Sequence, residues 1–187
     1  MMKGFLIVGM CFFIVACSNQ VESQVNKNML DEYVTFTYTI PELEGYVITK
    51  IDVAPYEGEA NRIDIYYTNQ EDVDRNWDLL DLEEALDEEF DLKTVYGPYE
   101  EWPDYGLVLS QMTEDVTIEY KESFEVDESK IKYNTIVSGE DTFLSFYIRI
   151  DEALYQGTLF HPEGESKEDV EKEIEEVYKQ LVDEMTQ

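Results

Sequence analysis

An α+β fold is predicted, built mostly on an antiparallel sheet of about six to eight strands. A C-terminal amphipathic helix packs on that sheet, and an acidic helical or loop insert interrupts it. Three observations point there: successive segments alternate apolar and polar residues, a single long helical period closes the chain, and no strand–helix–strand alternation links them.

The first alternating segment begins at Tyr33, with Val34, Phe36, Tyr38 and Ile40 on one side and Thr35, Thr37 and Thr39 on the other. This predicts a half-buried strand. Val47, Thr49, Ile51 and Val53 form a second set, and Ile63, Ile65 and Tyr67 a third. Between them lies the turn-rich stretch Pro55-Tyr56-Glu57-Gly58-Glu59, so the pair is expected to form a hairpin. Further strands are predicted at Leu107–Gln111, Val116–Tyr120, Lys130–Val137, Thr142–Ile150 and Leu154–Phe160, the last two joined by a short turn at Asp151-Glu152-Ala153. The chain closes on Lys167–Met185. There Val170, Ile174, Val177, Tyr178, Leu181, Val182 and Met185 make a one-sided stripe that must pack on something. Ser166 stands at the N-cap, with Glu168 and Asp169 in the first turn, where the helix dipole favours negative charge.

The first twenty residues have a different character. Lys3 is followed by an uncharged apolar run, Gly4–Ala16, which as a helix spans roughly 20 Å against a hydrocarbon core of about 30 Å. It reads as a signal-peptide core and not as a stable membrane span. The run ends in Ile14-Val15-Ala16-Cys17, which resembles the lipobox of bacterial lipoproteins. The resemblance implies cleavage before Cys17 and attachment of lipid, such as palmitate, to its thiol, the group that can be alkylated. Residues 1–16 are then the leader and residues 17–30 a lipidated cysteine with a polar, flexible tether. Residues 31–187 are a single globular domain at the outer face of a cell membrane. More than one acyl chain makes such an anchor durable.

Cys11 leaves with the leader, so the mature chain keeps Cys17 alone and holds no disulfide. The chain carries 13 Lys and Arg against 44 Asp and Glu, a net charge of −31. Such a surface repels phosphate backbones and anionic headgroups, which excludes nucleic acid as a partner. An apolar fraction of 43% with 25 aromatic residues argues for a packed core in spite of the charge. The acidity itself reads first as a solvated surface.

Residues 70–104 break the strand rhythm with 14 acidic residues, and a short helix is predicted around Asp78–Phe90, lined by Trp77, Leu80, Ala85 and Leu86. At its start, Asp72, Asp74, Asn76 and Asp78 stand at positions 1, 3, 5 and 7 of a twelve-residue window closed by Glu83. The spacing resembles an EF-hand calcium loop, in which alternate oxygen ligands converge and the final Glu closes the site bidentately. The sixth position departs from it, with Trp77 where that loop turns on glycine. Calcium is therefore the one cofactor the sequence suggests, and otherwise none is expected.

No catalytic constellation is legible. His161 is the only histidine, placed in a loop after the last strand; no G-x-S-x-G surrounds a serine, and no His/Cys cluster has zinc spacing. Carboxylate pairs for a glycosidase cannot be singled out among 44 acids. Tyr38, Tyr66, Tyr67, Tyr120, Tyr133, Tyr147 and Tyr155 are expected mostly as packing, with an exposed tyrosine face for carbohydrate or peptide as the rival. Ile40-Pro41-Glu42-Leu43-Glu44-Gly45-Tyr46, Ile51-Asp52-Val53 and Ile63-Asp64-Ile65-Tyr66-Tyr67-Thr68-Asn69 resemble the opening of a family of extracytoplasmic domains found in Firmicutes on lipoproteins and anti-sigma regulators. That resemblance implies a module that binds a protein or small-molecule partner. The expectation is thus a lipid-anchored, non-enzymatic binding domain, with a calcium-stabilised surface protein and then a carboxylate-using hydrolase as alternatives.

Overall fold

The structure is a computed structural model describing residues 30–55, 57–73, 86–87, 91–97, 104–114, 118–127, 129–138, 141–161 and 166–185. The strands among them are β1 (Tyr46–Ala54), β2 (Arg62–Asn69), the two-residue β3 (Leu86–Asp87), β4 (Leu92–Tyr96), β5 (Leu107–Met112), β6 (Glu122–Val126), β7 (Ser129–Ser138), β8 (Asp141–Ile150) and β9 (Ala153–His161), followed by the helix α1 (Lys167–Met185). They form one sheet in the order β3-β4-β1-β2-β5-β9-β8-β7-β6. Every neighbouring pair is antiparallel. β1–β2 is a hairpin and β6 to β9 a meander, as short turns dictate. The turns at Asp127 and Asp151 use the left-handed conformation (φ 46° and 52°), which Asp tolerates better than most residues.

The sheet carries packing on both faces. On the inner face Ile51, Ile63, Ile65, Tyr67, Leu107, Leu109, Leu144, Phe146 and Leu159 are all at most 1% exposed. Against them α1 lays Val170, Ile174, Val177, Tyr178 and Leu181, the stripe expected from the sequence. Full burial of each such side chain contributes roughly 1.5–3 kcal/mol. The helix begins in a reciprocal cap: Asp169 N–H donates to Ser166 Oγ and Ser166 N–H to Asp169 Oδ2, both at 3.3 Å. Tyr178 Oη donates to Ser129 Oγ at 2.8 Å and Tyr133 Oη to Glu171 Oε1 at 2.9 Å, fixing the helix over β7.

Residues 34–43 complete the inner layer, and here the structure corrects the sequence expectation. They are not a strand; only Val34 makes a bridge, parallel, to Ala60. The alternating burial is real, with Val34 and Ile40 buried and Thr35 and Thr37 exposed. It arises because an extended chain lies across the sheet instead of joining its ladder. Tyr67 Oη donates to Pro41 O (2.8 Å) and Thr39 N–H to Gln111 Oε1 (3.0 Å), so side chains of the sheet face satisfy this backbone. Leu30, assigned by sequence to the tether, is 1% exposed and belongs to the core, so packing starts no later than there.

The outer face is crossed by the connection between β5 and β6. Lys121 N–H donates to Asn134 Oδ1 (2.8 Å), Asn134 Nδ2 donates to Glu119 O (2.9 Å), and the Tyr120 ring sits 6.1 Å from that of Tyr147. The sequence predicts residues 118–120 as strand; they are this crossing, and the strand, β6, comes two residues later. The predicted helix over 78–90 is corrected at Leu86–Asp87, which pair with β4; residues 78–85 and 88–90 lie outside the described residues. β4 itself has no counterpart among the predicted strands.

Gly157, facing inward on β9 between Leu109 and Phe146, has its vacant side-chain position filled by the Phe146 ring. A Cβ there would stand 1.9 Å from Phe146 Cζ. Gly157→Ala is expected to destabilise the domain by about 1–3 kcal/mol or more in urea unfolding. Combined with Phe146→Leu, the loss should fall below the sum of the two single losses; strict additivity would show that the ring does not depend on the glycine.

Candidate functional site

Two carboxylates sit in the middle of the outer face. Asp52 on β1 and Asp64 on β2 are register partners across the antiparallel pair, which places their Cβ atoms about 5 Å apart. Asp52 is 0% exposed and Asp64 7%. Charges so placed are tolerated only if compensated, and the neighbouring residues on the same face supply the compensation. Lys50 Nζ lies 2.6 Å from Asp52 Oδ2, and Thr94 Oγ1 on β4 donates to Asp52 Oδ1 at 2.7 Å. Arg62 Nε lies 3.0 Å from Asp64 Oδ2, and Ser110 Oγ on β5 donates to Asp64 Oδ1 at 2.5 Å. Four strands thus contribute, and each of the four carboxylate oxygens faces a cation or a hydroxyl.

Tyrosines close the cluster towards β5. The rings of Tyr66 and Tyr105 are 4.9 Å apart, and Lys50 Nζ stands 4.8 Å from the Tyr66 centroid. Burial, then the charges of Asp52 and Asp64, raise the Tyr66 hydroxyl well above its ordinary pKa. Burial and Asp52 push Tyr105 up to about 12. Burial also lifts the Asp64 carboxyl, against the opposing pull of Arg62 and Ser110. Beside Lys50, the backbone makes a bulge between Ile48 and Lys50. Gly97 packs there so closely that a Cβ would meet Thr49 O at 2.2 Å; its φ of +67° suits glycine.

A facing pair of carboxylates is also the kind of group a retaining glycosidase uses. Here Asp52 Oδ1 accepts from Thr94 and the Asp64 oxygens from Arg62 and Ser110, while Asp52 Oδ2 lies beside Lys50 Nζ without a hydrogen-bond partner among the described residues. The arrangement compensates charge between strands and ties β4, β1, β2 and β5 together.

The residues singled out by sequence are elsewhere. Cys17, Asp74, Asn76, Asp78 and Glu83 lie outside the described residues. Asp72 is exposed in the turn after β2, where its N–H donates to Asn69 O (3.0 Å) and its Oδ2 accepts from Asn69 Nδ2 (3.1 Å). Among the described residues no three His, Cys, Asp or Glu side chains assemble into a group able to hold a metal. His161 is the last residue of β9, not a loop residue after it. The tyrosines make no continuous exposed face among the described residues: Tyr67, Tyr133 and Tyr155 are 1% exposed, Tyr147 is buried, and Tyr38, Tyr66 and Tyr120 are half-buried. The chain matches no family model, no curated protein and no solved structure.

The raised Asp64 carboxyl carries a pH signature. The folded state holds this proton more tightly than the unfolded state, so the associated stability is full below the ordinary value of 3.8 and is lost as pH rises through the folded value. Asp64→Asn removes the titration. The melting temperature of Asp64→Asn minus that of the parent should become more positive between about pH 3.5 and pH 7; a flat or falling difference would contradict the assignment. Millimolar calcium, measured against EGTA, tests the 72–83 window: a calcium loop there raises the melt by mass action, and a shift of less than about a degree contradicts it.

Proposed function

We propose that the protein is a membrane-anchored extracytoplasmic lipoprotein, held by lipid on Cys17, whose domain serves as a non-enzymatic interaction module. The observation that carries this reading is the division of the chain. An apolar run too short to span a bilayer ends at Cys17, and a packed domain is under way by Leu30. In this reading the polar residues between them link anchor and domain. No helix among the described residues is long and apolar enough to cross a membrane.

Two further features support an interaction role. The titratable cluster on the outer face is spent on internal compensation, and the domain leaves a group of large apolar side chains exposed at one end of its sheet. The chain's net charge of −31, carried by the residues after Cys17, favours solubility and repulsion from anionic headgroups.

Cys17→Ala is expected to abolish incorporation of labelled palmitate and release the protein from the membrane fraction, with the domain's melting temperature unchanged. Labelling that persists in Cys17→Ala would overturn the anchor.

A further inference from the structure

Four large apolar side chains are exposed among the described residues, and three of them, Ile136, Val137 and Phe160, lie at one end of β7, β8 and β9. Ile136 pairs with Phe143, and Phe143 pairs with Phe160. The three therefore stand in one row across the outer face, with the Phe143 and Phe160 rings 5.3 Å apart and edge to face. Val137, 68% exposed, points to the opposite face of the same strand end. Both faces of the sheet thus present apolar side chains to solvent at this end. Adjoining exposed apolar side chains are a common feature of contact surfaces.

We propose that the Ile136–Phe143–Phe160 row is the docking site for a segment of another protein that carries apolar side chains flanked by Lys or Arg; this deepens the interaction-module reading and rests on it. Location and charge select that occupant. The described chain enters at the far end of the sheet, where Val34 bridges Ala60 ahead of β2, about 25 Å from the end at which β2 leaves. The row is thus at the end of the domain opposite its tether. Around the same end, Asp104 precedes Gly106, whose carbonyl accepts from Phe160 N–H at 3.0 Å, and Glu71 and Asp72 follow β2; all three acids are exposed. A second copy brings another −31 and is repelled, and an anionic bilayer is repelled likewise. A cationic apolar segment meets favourable charge and an uncovered apolar row together.

The test uses the full-length chain reconstituted in phosphatidylcholine vesicles and two labelled synthetic peptides: an amphipathic peptide of Leu and Lys, and its counterpart with Ser for every Leu. Binding of the Leu/Lys peptide should weaken about tenfold or more in Ile136→Thr/Phe160→Thr, whereas the weaker Ser/Lys binding stays unchanged. Ile136→Lys, which keeps the strand exposed and adds repulsion, should weaken the Leu/Lys peptide too. Equal affinities in parent and variants would overturn the proposal, because acidity alone would then explain binding. It falls equally if sedimentation shows a dimer that the variants dissociate, or if the variants leave the vesicles only because the row had been inserted in them. Palmitate labelling at Cys17 is read separately in the same preparations, so loss of docking and loss of anchoring are told apart.

Discussion

Two aspartates facing each other across β1 and β2, shut away from water, set the terms for the outer half of this molecule. An unpaired buried carboxylate costs several kcal/mol, and two directly opposed would be worse. The pair exists because a cation stands two residues before each acid on the same strand face, Lys50 before Asp52 and Arg62 before Asp64, and because hydroxyls arrive from both flanking strands, Thr94 and Ser110. Side chains two apart on a strand share a face. One slip of register between β1 and β2 would send the acids to opposite faces and separate each from half of its partners. The cluster is thereby a device for specifying alignment as much as for adding stability.

With that alignment set, the inner face is apolar over most of its extent, and it is closed by two elements of different kinds. The helix contributes a stripe of aliphatic residues fixed by Tyr178 and Tyr133 at its flanks. The extended 34–43 segment contributes backbone that must be hydrogen-bonded by side chains, which is why Gln111 and Tyr67 occur at inward positions otherwise occupied by Ile and Leu. At the outer ends of β7 to β9, apolar residues remain in water. The domain is thus packed at its centre and leaves apolar side chains uncovered at one end.

Much of the fold was legible because period-two alternation and a 3.6-residue stripe are strong signals: β1, β2, β5, β7, β8, β9 and α1 fall where their patterns put them. The same alternation misled over 34–40, since an extended segment lying on a sheet buries every second side chain just as a ladder strand does. It misled at 118–120 for a related reason, Tyr120 being directed onto the outer face by the crossing. β4 was missed because five residues inside an acidic stretch offer too few alternations to stand out. The outer-face cluster was hidden among 44 acids, yet a signal was present: Lys50-Ile51-Asp52 and Arg62-Ile63-Asp64 repeat one basic–apolar–acidic pattern in two strands predicted to pair. What sequence could not supply was Thr94 and Ser110, because they come from strands distant along the chain.

The dependence on charge compensation is tested most directly by urea unfolding of Lys50→Met, Asp52→Asn and the double variant at neutral pH. Lys50→Met leaves a buried carboxylate without its ion partner and is predicted to lose about 3–5 kcal/mol. In the double variant the charge is gone, the introduced amide oxygen can still accept from Thr94, and a large part of that loss should return. A double variant as unstable as the sum of the two single losses would contradict the account.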